Sequence, residues 1–178
     1  MIEEHAYPWY GIAQGDDLQQ GDIFEMCPVF IPGEEVERGE TLIPRFEVED
    51  RDLILVSQSC DLVRGREKLE DVVLCSVWRM SEYESGYLAS AKGRDEVRRG
   101  NAPGYHMLAA CATAGMEREV RIVDFRQLYS LPLEFVRQQA LRQNERPRLL
   151  PPYREHLSQA FARFFMRVGL PADIPPFK

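Results

Sequence analysis

The residues most suited to chemistry are a short run of small polar side chains, Ser57-Gln58-Ser59-Cys60-Asp61, set directly after the apolar run Leu53-Ile54-Leu55-Val56. An apolar run of that length reads as a buried strand, and strand ends are where rigid scaffolds meet open loops. Cys60 there is a candidate nucleophile or metal ligand, with Ser57, Ser59 or backbone N–H groups beside it to stabilise an oxyanion. The alternative is structural: Ser59 and Asp61 shape the turn through hydrogen bonds to the backbone, and Cys60 packs as a small hydrophobe. The adjacent Asp61 opposes a reactive thiolate, because nearby negative charge raises a thiol's pKa.

His106 is the histidine in the middle of the chain, five residues before Cys111. A Cys60–His106 dyad with Asp61 or Asp124 orienting the imidazole is the most economical catalytic arrangement these residue types allow. A zinc site from Cys60, His106, Cys111 and Cys75 uses the same atoms, but it lacks the close ligand pairs of structural zinc sites, so no cofactor is expected. Arg51, Arg64, Arg66 and Lys68 flank the segment and offer either an anion pocket, with Ser57, Gln58 and Ser59, or a solvated, salt-bridged loop.

The elements that must hold these groups read as one α+β domain over residues 1–178. An irregular arm (1–20) carries the cluster Tyr7-Pro8-Trp9-Tyr10, which is expected to fold back on the core. A β-rich part (21–125) includes Ile23–Ile31, Arg45–Glu49, Leu53–Val56, Val72–Trp78, Tyr105–Leu108 and Val120–Phe125 as strands, with Glu34–Glu40 as an acidic loop. A helix is expected from the capping-box pattern at Ser81–Glu84 towards Gly93, and a loop over 93–104, with a short helix over Leu108–Ala114 as an alternative. A helical part (130–170) begins where Leu133, Val136, Ala140 and Leu141 share one face. It ends with a stripe of Leu157, Ala160, Phe161, Phe164, Phe165 and Val168, stopped by Gly169 and Pro171. The fold expected is a small bent antiparallel sheet, or a partly open SH3-like barrel, closed on one side by two C-terminal helices.

Composition limits the function classes. The 178-residue chain carries a formal charge of −7. Residues 1–116 hold −11 and residues 117–178 hold +4. An acidic chain is poorly suited to bulk nucleic-acid binding, which depends on neutralising phosphates. The row Arg146, Arg148, Arg154, Arg163 and Arg167 is the local exception, suited to an acidic surface. No run of apolar residues reaches the length of a membrane helix, and the acidic start Met1–His5 is unlike a secretory signal, so a cytoplasmic protein without a membrane partner is expected. The cysteines Cys27, Cys60, Cys75 and Cys111 are widely spaced and expected to be reduced.

Two resemblances follow from the motifs. Gly21-Asp22-Ile23, then Arg51-Asp52-Leu53-Ile54-Leu55-Val56-Ser57, then Val72-Val73-Leu74-Cys75, resembles the front of PemK/MazF-like barrels, which implies an SH3-like barrel and, for many members, metal-free RNA cleavage. Arg51 falls at that family's catalytic arginine, Asp52 stands where the family has proline, and no threonine stands near Ser76 or Trp78. The segments Val56–Leu62 and Arg148–Pro171 also resemble uncharacterised bacterial proteins, a likeness that implies no particular chemistry. Three functions follow as expectations: a non-catalytic binding or regulatory module with a strand-end pocket at Ser57–Leu62, taking a small anionic ligand or a protein partner; a cysteine-dependent hydrolase or transferase using Cys60 and His106; and a PemK/MazF-like nuclease or nucleic-acid binder.

Overall fold

The computed structural model describes residues 8–32 and 46–166. The acidic loop Glu34–Glu40, Arg45, Val168 and the helix stop at Gly169 and Pro171 lie outside the described residues. Among the described residues, seven strands and three α-helices form a mixed α+β fold in which no sheet closes into a barrel. The strands are β1 (Tyr10–Gln14), β2 (Ile23–Pro32), β3 (Phe46–Leu55), β4 (Asp71–Arg79), β5 (Tyr105–Leu108), β6 (Arg121–Pro132) and β7 (Glu145–Leu149), and the helices are α1 (Ala91–Arg98), α2 (Leu133–Gln143) and α3 (Tyr153–Phe165). A five-stranded antiparallel sheet runs β2-β3-β4-β6-β5, and β1 pairs with β7 in a separate two-stranded sheet.

The run Leu53–Val56 is continuously apolar because β3 and β4 are covered on both faces. Ile54, Val56, Cys75 and Val77 pack with Leu157 of α3, while Leu53, Leu55, Val72 and Leu74 pack with Val136 and Ala140 of α2. The two C-terminal helices therefore belong to different faces rather than closing one side. Alternate residues of a strand point oppositely, and here both sets are apolar, so each face needs its own cover.

Gly21 and Asp22 stitch the two sheets together. Gly21 N–H donates to Leu55 O at 2.8 Å, Leu149 N–H donates to Gly21 O at 3.0 Å, and Asp22 bridges to Arg148 of β7. Gly21 has φ +89°, and a Cβ there would lie 2.9 Å from the Leu149 Cβ, so both the backbone angle and the close approach demand glycine. The Asp22 carboxylate sits fully buried between Arg146 and Arg148.

Several local expectations change, the first being that the strands expected over 45–49 and 53–56 form one continuous strand, β3. The arm is not irregular throughout: Tyr10–Gln14 is a strand whose partner, β7, contains Pro147 and two arginines, residues that do not mark a strand. The helix expected from Ser81 appears as two 3-10 turns, Met80–Glu82 and Tyr87–Ala89, and the α-helix starts later, at Ala91. Ser90 caps it, its Oγ accepting Gly93 N–H at 3.0 Å, and Leu88 and Val97 bury against Ile122. Gly93 is required because a Cβ there would fall 1.9 Å from Tyr87 O. The segment after Leu108 is not helical; Cys111 and Arg118 exchange backbone hydrogen bonds instead.

Candidate functional site

The polar run Ser57–Asp61 does lie at an open rim, but its groups are committed to the fold. Ser57 Oγ accepts Val73 N–H at 2.9 Å and Ser59 Oγ accepts Gln20 N–H at 3.0 Å. Gln58 Nε2 donates to Ser158 Oγ on α3 at 3.0 Å. Cys60 is exposed rather than packed, on a shallow depression of about 510 Å³ that it shares with Ser59 and Arg64. Lys68 ion-pairs with Asp61 at 2.8 Å and holds that carboxyl below its ordinary range. Arg64 pairs with Asp16 at 2.8 Å. The depression thus offers a thiol but few free donors. Iodoacetamide should alkylate Cys60 well before Cys27 and Cys75, whose thiols burial pushes up to about 11 and about 12; mass-mapped labelling at equal rates would contradict this.

The proposed partners of Cys60 lie elsewhere. His106 is on β5, the outer strand, opposite Val123 of β6, and lines a different cavity from Cys60. Asp124 is buried and engaged by Arg126, whose Nε and Nη2 approach to 2.8 and 2.6 Å. Cys75 and Cys111 are buried, and among the described residues no group of three or more His, Cys, Asp or Glu is placed to hold a metal ion.

His106 belongs to a cavity of about 340 Å³ between the end of α1, strand β5 and α3. Arg98 and Arg99 reach it from α1, Arg163 and His156 from α3, and Trp9 closes one wall. Trp9 is stacked on Tyr153 at 3.7 Å between ring centroids, which fixes the arm onto α3. Among the described lining residues there is no Asp, Glu, Ser, Thr or Cys. Arg98 and Arg99 share a single carboxylate, Asp95, at 2.7 and 2.9 Å. Arg163 has no ion-pair partner among the described residues. The His106 Nε2 is buried with no hydrogen-bond partner, and burial, reinforced by His156, pulls the imidazole down to about 4. An imidazole of that kind is neutral near pH 7.

A second polar cleft forms where two strands are irregular. The β2–β3 register shifts between Phe24 and Cys27, with Met26 at φ 51°, and the β4–β6 register shifts between Cys75 and Ser76. Such bulges re-aim side chains. Glu25 is turned towards Arg118 and Arg121, which hold its carboxyl low, while burial raises Asp52. Arg51 sits beside this cleft over the Trp78 ring at 5.2 Å and is paired with Glu49. Asp50, Asp52 and Glu82 share its cavity, so carboxylates outnumber Arg51 and Arg79 there.

From the sequence, His106, Arg163 and Trp9 were each singled out, but not their meeting in one cavity. His156, Gln159, Ala160 and Arg163 follow helical spacing along one face of α3, and that face was the available signal. Arg98 and Arg99 fell in a stretch expected to be a loop. Compared with known proteins, the chain matches no family model and no curated protein.

Proposed function

We propose that the protein is a non-catalytic binding module for a small anionic ligand, and that the ligand sits in the cavity between α1, β5 and α3. One observation carries this reading: a chain of net charge −7 presents three arginines and two histidines to one cavity, with no acidic side chain among its described lining residues. Arg98 and Arg99 share one carboxylate, Asp95, and Arg163 has no ion-pair partner among the described residues, so the cluster keeps an excess of positive charge that favours an anion. The volume, about 340 Å³, lies at the small end of ligand pockets, which suits a compact ion or a small ester rather than a polymer. This moves the anion pocket away from the Ser57–Leu62 rim, whose hydroxyls already serve the backbone and whose Arg64 already has Asp16. The nuclease reading has less support, because the cleft at Arg51 is rich in carboxylates and an RNA backbone needs the reverse.

Isothermal titration with sodium sulfate and inorganic phosphate at low ionic strength tests the proposal. Saturable binding that weakens as sodium chloride is raised is expected. The absence of any saturable signal with either ion would remove the reading.

A further inference from the structure

We propose that the ligand is a tetrahedral dianion, a phosphate or sulfate group, and that it enters the cavity together with one proton taken from solvent by His106. This rests on the anion-binding reading above and adds to it the class of anion and the way it is held. The groups that face His106 come from four elements. Arg98 and Arg99 approach from α1, and His156 and Arg163 from α3. Tyr105 adjoins it on β5, and Phe125 of β6 lies beside its ring at 6.3 Å. None of them is a carboxylate, so in the free protein none of these groups favours the imidazolium, while burial and His156 oppose it.

The buried Nε2 without a partner is the feature this proposal explains. A buried polar atom left unsatisfied is costly, and here it belongs to a histidine that lines a cavity shared with three arginines. A doubly charged anion reverses the local balance. It supplies acceptor oxygens, it neutralises the arginines, and it makes the imidazolium the better form, because a charge-assisted N–H···O bond replaces an unfilled site. The proton comes from solvent and no covalent bond to the anion is made or broken. A monoanion such as acetate matches Arg163 alone and leaves less to compensate a new cation. Guanidinium forks from three arginines also suit a tetrahedron of oxygens, which can be approached from several sides at once. Trp9 and Met107 in the same wall leave an apolar flank for the organic part of a phosphate ester.

The direction of the pH effect follows from linkage. His106 is held down to about 4 in the free protein. If binding raises that value, the bound state takes up a proton over the interval between the two values, and affinity increases as pH falls through it, by at most about tenfold per pH unit for one proton. Sulfate is the decisive probe because it stays doubly charged across this range, whereas phosphate loses its second charge on acidification. Sulfate is titrated at several pH values between neutrality and about 5, in two buffers of different ionisation heat, which counts the protons taken up. The expected result is tighter binding at lower pH with net proton uptake. His106→Gln should keep measurable binding but lose the pH dependence, and His156→Gln and His5→Gln should retain it.

Should His106→Gln fail to fold, histidine NMR titration of the wild-type chain with and without sulfate replaces it, the His106 signal moving to a higher pKa when sulfate is bound. Sulfate binding that is independent of pH, or a pH dependence that follows His156 instead, would overturn the inference and leave the anion-binding reading standing. No sulfate or phosphate binding at any pH would remove both. Phenyl phosphate separates the two sources of the dianion: tighter binding than inorganic phosphate identifies an ester, and equal or weaker binding identifies the free ion.

Discussion

Replacing Asp22 with alanine is expected to lower the free energy of unfolding by about 3–5 kcal/mol, the range for removing one partner of a buried ion pair. The Asp22 and Arg146 side chains are fully buried, and Arg146 Nε and Arg148 Nη2 each lie 2.9 Å from the Asp22 carboxylate. Arg146 also donates to Gly15 O and Asp17 O, both at 2.7 Å, so the guanidinium is committed to that interior position. Without the carboxylate, a buried guanidinium faces no counter-charge, and the joint between the two sheets loses its centre. Urea unfolding followed by circular dichroism measures the loss as a fall in midpoint. Lys68→Ala, which breaks the exposed pair with Asp61, is the control and should leave the midpoint unchanged. A midpoint equal to wild type for Asp22→Ala would mean the triad contributes nothing to the fold.

Arg163→Glu is expected to weaken sulfate binding by roughly tenfold to a hundredfold or more, the range for losing a hydrogen bond to a charged group. The added carboxylate then repels the anion as well. Arg163 is exposed and has no ion-pair partner among the described residues, so stability should not change, and the effect on binding can be read cleanly. Arg98→Ala should weaken binding less, because Arg98 is already bonded to Asp95 at 2.7 Å. Equal affinities for wild type and Arg163→Glu, measured by titration calorimetry at low salt, would show that sulfate does not occupy this cavity.

Much of the architecture was legible beforehand. The stripe from Leu157 to Phe165 is a helix with Leu157 buried, and Leu53–Val56 and Val72–Trp78 are the central strands, because helix and strand periodicity are local properties of residue order. The folding-back of Trp9 and Tyr10 was legible for a similar reason, since adjacent aromatics rarely stay in water. β7 was not legible. Arg146 and Arg148 look like surface residues until Asp22, more than a hundred positions earlier, supplies their buried counter-charge.

The sequence by itself determined the central strands and the two C-terminal helices, though not β1, β7 or α1, together with which faces are apolar and which residue types are available for chemistry. It placed Cys60 and His106 in one candidate site because residue type carries reactivity but contains no distance. Only the tertiary structure separated them, and only it brought His106 together with Arg98, Arg99, His156, Arg163 and Trp9. Those residues come from four segments with no pattern linking them in the chain. Their meeting depends on how α1, β5, α3 and the arm pack, and on the absence of a described carboxylate among them, which is a property of the assembled cavity.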